Sequence, residues 1–314
     1  MLDRDEATKK DVILAIGPEA SRQCFGAAGT RPPRQAVTLH SVTLAERKTI
    51  LINCQLPFRC ELSHIPDAIE LGHHTLHHLK GAYPHAPQVA CSLYTELLAP
   101  FSSVVILFVS EFGALARVVD FLWAWLRSAM LRPLPFCPEV ILAVGRDDLA
   151  TLREIRLRLV NYGLKSLRVS DPHHAYSHTD VDKMISTHLN LSMMSTSPVA
   201  EFSSLLQASL QRARYQQQQL GIDFTVGHWK ALVRSALACH AEYPTVPINF
   251  YHLSRLRKPV PLSMGTHMSE FVLATSAHDV DQAMIIASAL SIDAFPPGMH
   301  RKSSRTATSY IYSE

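Results

Sequence analysis

The sequence lacks most of the short motifs that mount reactive groups. It has no Gly-x-Ser-x-Gly elbow, so an acyl-transfer serine has no recognisable mount. It has no Gly-x-Gly-x-x-Gly, so a dinucleotide fingerprint is absent too. Its six cysteines, at 24, 54, 60, 91, 137 and 239, include no C-x-x-C pair. That spacing argues for buried, reduced thiols over a zinc knuckle or a disulfide framework. Charge of one sign is also scarce. The formal net charge is +3 over 314 residues, with the basic residues dispersed, and a nucleic-acid face therefore has no support. The most apolar region, 104–131, is interrupted by Glu111, Arg117, Asp120 and Arg127, too many charges for a membrane span. The N-terminus "MLDRDEATKKD" has no apolar segment of the signal-peptide kind. These absences together imply a cytoplasmic chain with no transmembrane segment.

What is present is an ordinary globular composition, 47% hydrophobic and 18% charged, able to bury a core. The first half alternates between short apolar runs and helical patterns. Val12–Ile16, "TILINC" (49–54), "VVILFV" (104–109) and "EVILAV" (139–144) read as strands covered on both faces, while 37–44 alternates. Leu115, Val118, Val119, Leu122, Trp123 and Leu126 form one helical stripe. Trp123 and Trp125 lie two apart, which predicts one in the core and the other at an interface. Leu149, Leu152, Ile155 and Leu159 form a second stripe between an N-cap at Asp148 and a stop at Gly163. Leu167–Val169 reads as a final edge strand. From about residue 180 the pattern is helical: 181–191, 199–220, 227–241 and 279–292. Gln216–Gln219, after Arg212 and Arg214, reads as a solvated helix face.

The expected fold is α/β, a mostly parallel sheet followed by an α-helical domain. The boundary is placed at "STSP" (195–198), because short polar residues before proline favour extended chain. The expected division is 1–195 for the α/β domain, 196–302 for the helical domain and 303–314 for a flexible tail.

The loop after the first strand is the first candidate site. In "IGPEASRQC" (16–24), Gly17 stands where a phosphate-binding loop has its first glycine. The second glycine is replaced by Arg22, the lysine by Gln23 and the hydroxyl residue by Cys24. The order that follows, two strands in quick succession and then alternating strands and helices, is similar to that of P-loop GTPases. In such domains, backbone N–H groups wrap phosphate and the lysine neutralises β and γ charge. A carboxylate at a strand end helps hold Mg²⁺. Here Gln23 carries no charge, Cys24 suits Mg²⁺ poorly, and Asn53 stands where the carboxylate is needed. After "VILAV" only Asp148 matches the base-reading segment; Arg22 retains one positive charge beside the loop. A degenerate, nucleotide-incompetent P-loop is the expectation, with no cofactor.

Two histidine groups are the next candidates. In "LGHHTLHHL" (71–79), His73/His77 and His74/His78 stand at i, i+4, the spacing that lets two imidazoles share zinc on a helix. No third fixed ligand can be named, so a metal site is not expected. His173, His174 and His178, in "SDPHHAYSHTD", lack one as well.

The segments "LLAPFSSVVILFVSEFGALARVVDFLWAWL" (97–126), "INFYHLSRLRKPVP" (248–261), "HMSEFVLAT" (267–275) and "ASALSIDAFPPGMH" (287–300) resemble the region upstream of the hydrolase domain in large fungal patatin-like phospholipase proteins. The similarity spans roughly residues 49–300. That family's hydrolase domain carries a Gly-rich oxyanion loop, a Gly-x-Ser-x-Gly serine and an Asp-Gly partner, none of which is in this sequence. The resemblance therefore implies a non-catalytic accessory or interaction module, linked to lipid metabolism and acting with a protein partner or a separate hydrolase domain. The alternatives are a P-loop NTPase with an aberrant loop, and a lipid acyl hydrolase whose nucleophile lies outside the usual motif.

Overall fold

The structure, a computed structural model, describes residues 9–17, 24–25, 37–44, 47–59, 85–131, 136–145, 151–170, 175–196, 199–220, 222–243, 248, 253, 263–276 and 281–294. Its strands are β1 (Val12–Ile16), β2 (Val37–Leu44), β3 (Arg47–Cys54), β4 (Val104–Phe108), β5 (Glu139–Val144) and β6 (Asn190–Ser195). They form one sheet in the order β2-β3-β1-β4-β5-β6. Every neighbouring pair is parallel except β2 and β3, which run antiparallel from Val37 opposite Cys54 to Leu44 opposite Arg47. The expected α/β class, with a mostly parallel sheet and a helical part, is what the molecule adopts. All residues of β1, β4 and β5 are buried, as largely apolar strands in the middle of a covered sheet must be.

The helices are α1 (Ala86–Ser92), α2 (Leu115–Leu131), α3 (Thr151–Ser170), α4 (His178–His188), α5 (Val199–Gln219), α6 (Val226–Glu242), α7 (Met264–Thr275) and α8 (Gln282–Ala294). α1 runs on as a π-helical stretch over Leu93–Leu98. Alternation along each strand sends neighbouring side chains to opposite faces, which divides the core in two. Ile13, Leu51, Ile106 and Ile141 pack with Phe202, Leu206 and Leu210 of α5 on one face. Leu14, Ile52, Leu107 and Leu142 share the other core with Trp125 of α2, Leu159 of α3, Ile185 of α4 and Trp229 of α6. No helix among the described residues is long and apolar enough to cross a membrane.

Several local expectations are corrected. Leu167–Val169 is not a strand but the last turns of α3, and Val169 is 84% exposed. The helix passes through Gly163 instead of stopping there. A Cβ at 163 would lie 2.7 Å from the Trp123 ring and 2.9 Å from Val181, so this glycine permits close packing of α2, α3 and α4. The helix expected over 181–191 ends at His188, and the chain then enters β6, the true final edge strand. His178 is the first residue of α4, not part of a loop.

Trp123 and Trp125 are both buried, because α2 is covered on two sides. Trp123 meets Tyr162 of α3 edge-on at 6.1 Å, and Trp125 meets Phe121 at 6.2 Å. The solvated face expected after Arg212 and Arg214 also holds an inward contact: Gln217 accepts a hydrogen bond from Ser103 Oγ at 3.4 Å. The boundary expected at 195/196 falls between β6 and α5, both of which pack on this sheet. α5 is further tied to it by Arg214–Asp11, at 2.6 and 2.9 Å, and by Arg212–Glu139, at 3.1 and 3.0 Å.

Candidate functional site

Open parallel sheets bind ligands at the carboxyl ends of their strands, and the structure places Gly17 and Asn53 there. Gly17 leaves β1 with φ 120°, a backbone conformation that side chains on L-residues rarely adopt. Asn53 is the penultimate residue of β3, paired in register with Ala15. Cys24 is half-buried on the α5 side of the sheet, beside a Phe25 ring that meets Phe202 edge-on at 6.2 Å. Burial pushes the Cys24 thiol above its ordinary pKa, away from the thiolate that a metal would need. Arg22, Gln23, Asp148, His73, His74, His77 and His78 lie outside the described residues.

Two residues missed in the sequence close the space around Gly17. A Cβ on Gly17 would lie 2.8 Å from Phe108 Cβ and 3.1 Å from the Glu111 carboxylate. The Gly17 N–H donates to Cys54 O at 3.1 Å. It extends the β1–β3 ladder by one step. The only advance sign was the acidic residue in "VSEFG", three positions beyond β4. The Asn53 side-chain oxygen is buried and finds no hydrogen-bond partner among the described residues.

A second polar cluster joins α1, α2 and α6. Ser92 Oγ donates to Glu96 Oε2 at 3.1 Å, and Ser128 Oγ donates to Glu96 Oε1 at 2.8 Å. His240 Nε2 lies 3.3 Å from Ser92 Oγ. Ser92 and His240 are each 7% exposed. Burial, and then the nearby Glu96 charge, pushes the Cys91 thiol up to about 12.

Serine, histidine and a carboxylate are the ingredients of nucleophilic catalysis. A nucleophile must give its proton to the imidazole, whereas the one Ser92 Oγ proton has the Glu96 carboxylate at 3.1 Å as well as His240 Nε2 at 3.3 Å. Ser92 also has ordinary helical backbone angles, φ −60° and ψ −45°, not those of a strained elbow. The arrangement braces three helices. Nothing in the sequence signals it, since Ser92 and His240 stand 148 residues apart.

Among the described residues, no three His, Cys, Asp or Glu side chains converge as metal ligands would. His178 Nε2 lies 3.2 Å from Asn161 Oδ1 instead. No protein-family model matches the chain, and no curated protein matches it.

Proposed function

We propose that this chain is a non-catalytic accessory or interaction module, built on a degenerate P-loop-like α/β scaffold and acting with a patatin-type hydrolase domain supplied as a partner. The carrying observation is the blocked crevice at Gly17. Its amide is engaged by Cys54 O, and a side chain there would meet Phe108 Cβ at 2.8 Å and the Glu111 carboxylate at 3.1 Å. A phosphate needs free N–H groups and positive charge, and the Gly17 N–H is already engaged. The strand order, with an antiparallel β2 beside β3, supports the P-loop-like scaffold.

A fluorescent-nucleotide titration tests the reading. No saturable Mg²⁺-dependent binding of ATP or GTP is expected at micromolar concentration, and no phosphate release above a no-protein control. Micromolar binding that needs Mg²⁺ and vanishes in Arg22→Ala would establish the NTPase alternative. Binding of the chain to a purified patatin-type hydrolase domain, read by isothermal titration, tests the partner.

The acyl hydrolase alternative has one observation in its favour, the 3.3 Å approach of His240 to Ser92. Release of fatty acid from phospholipid that disappears in Ser92→Ala would establish it in place of the accessory role.

A further inference from the structure

The basic residues are dispersed along the chain, yet one helix concentrates them. α3 carries five, Arg153, Arg156, Arg158, Lys165 and Arg168, against the single acid Glu154. Its net +4 exceeds the +3 of the whole chain, so the remaining residues together are slightly acidic. Two of the five are answered within the fold, Arg156 by Asp182 of α4 and Arg158 by Glu154 one turn earlier. Arg153, Lys165 and Arg168 are exposed, and their side chains make no hydrogen bond or ion pair among the described residues.

The helical period puts the unanswered charges on an outer ridge. Ile155, Leu159 and Leu164 are buried in the core under α3. Leu157, Asn161, Lys165 and Arg168, at i, i+4, i+8 and i+11, project from the opposite side and are all exposed. Arg153 stands one turn before Leu157, and Val169 one turn after Lys165. Two aliphatic side chains thus stand among the cations, Leu157 at 58% exposure and Val169 at 84%. Tyr162, whose ring meets Trp123 edge-on, is exposed on the flank of the ridge.

The chemistry of this ridge narrows its occupant. A small anion needs donors that converge on one point, whereas Arg153 and Arg168 stand about 22 Å apart along the helix axis. A nucleic-acid backbone would take the cations but offers nothing apolar to Leu157 and Val169. A folded protein partner needs a complementary shape and disfavours lysine at its contacts, and the ridge of a single helix is convex. An anionic bilayer surface answers both kinds of side chain. Its headgroups attract the cations, and the boundary below them accepts aliphatic side chains and tyrosine. Mobile lipids also conform to a convex helix.

We infer that the outer ridge of α3 is a membrane-docking surface, which seats this chain on the headgroups of anionic phospholipids. The helix lies flat on the bilayer and keeps its buried side in the protein core. Each basic residue held near an anionic surface strengthens binding by about five-fold. Three unanswered cations therefore give a preference of about 100-fold for anionic over neutral lipid at low salt, and this preference falls as salt screens it.

Co-sedimentation of the full chain with phospholipid vesicles tests this independently of the accessory role. Vesicles of phosphatidylcholine with about 30% phosphatidylserine should bind the wild type at about 50 mM salt and release it at about 500 mM. Pure phosphatidylcholine vesicles should bind it about 100-fold more weakly. Lys165→Glu and Arg168→Glu should each weaken anionic binding by about 25-fold, because each removes an attraction and adds a repulsion. Leu157→Ser should weaken it several-fold. Arg234→Glu, the same charge change at an exposed site on α6, should bind as the wild type does. All four positions are exposed, so far-ultraviolet circular dichroism of each variant should match the wild type. A wild type that ignores the anionic vesicles, or binds neutral ones equally, overturns the inference. So does binding that survives both α3 charge reversals, or that falls as far in Arg234→Glu, since net charge and not this ridge would then govern it. Unchanged binding in Leu157→Ser would remove the contact that selects lipid. Binding to polyglutamate or RNA without binding to vesicles would give the ridge to another class of partner and refute the lipid surface.

Discussion

Replacing Gly17 by alanine places a methyl group where the fold has no room for one. The new Cβ would lie 2.8 Å from Phe108 Cβ and 3.1 Å from Glu111 Oε1. Phe108 cannot move aside, because it is fully buried in β4 and held in register with Ala143 of β5. The backbone at φ 120° adds a conformational cost of about 1–3 kcal/mol for any L side chain. The steric overlap adds about 1–3 kcal/mol, as overpacking in a core does. A loss of about 2–6 kcal/mol is therefore expected, a large share of the roughly 5–15 kcal/mol that holds a typical domain together. Equilibrium urea unfolding followed by tryptophan fluorescence reads it, since Trp123, Trp125 and Trp229 are all buried. Gly113→Ala is the control. Gly113 also has positive φ, 71°, but a Cβ there meets nothing within 4 Å, so only strain of about 1–2 kcal/mol applies. If Gly17→Ala loses no more stability than Gly113→Ala, the close approach of Phe108 and Glu111 is not a constraint, and the blocked crevice loses its basis.

Arg214→Ala should cost about 3 kcal/mol in urea unfolding, because it leaves the Asp11 carboxylate, only 6% exposed, without its arginine. By contrast Arg156→Ala should cost less than about 1 kcal/mol, since Arg156 and Asp182 form an exposed pair. Arg156 holds the Asp182 pKa below its ordinary 3.8. That contribution is present above pH 3.8 and is lost as pH falls through the folded value, so wild type and Arg156→Ala should converge in acid. The Cys91 pKa stands at about 12 against an ordinary 9.0, so the unfolded chain ionises first in alkali. Stability should then fall by up to about 1.4 kcal/mol per pH unit above pH 9 from this thiol, a slope that Cys91→Ala reduces in unfolding curves taken on either side of that pH.

Local pattern made much of this molecule legible. Unbroken apolar runs at 12–16, 104–108 and 140–144 imply strands covered on both faces, because such a run leaves no side for water. The helical stripe at 115–126 and the alternation at 37–44 likewise declare helix and strand through their periods. The departures of the first loop from a phosphate site, at Arg22, Gln23 and Cys24, are matters of residue chemistry and need no coordinates. What lay beyond reach was every decision taken between segments. "NLSMMS" is a strand because β5 offers it a parallel edge, not because its own residues favour one. Gly163 carries the usual sign of a helix end, yet the Trp123 ring standing over it makes it a place of close packing. The Gly17 N–H, the Glu111 carboxylate and the Ser92–His240 contact were decided only when the layers closed. Each depends on partners from other strands and helices, and periodicity within one segment carries no information about which distant group will arrive opposite it.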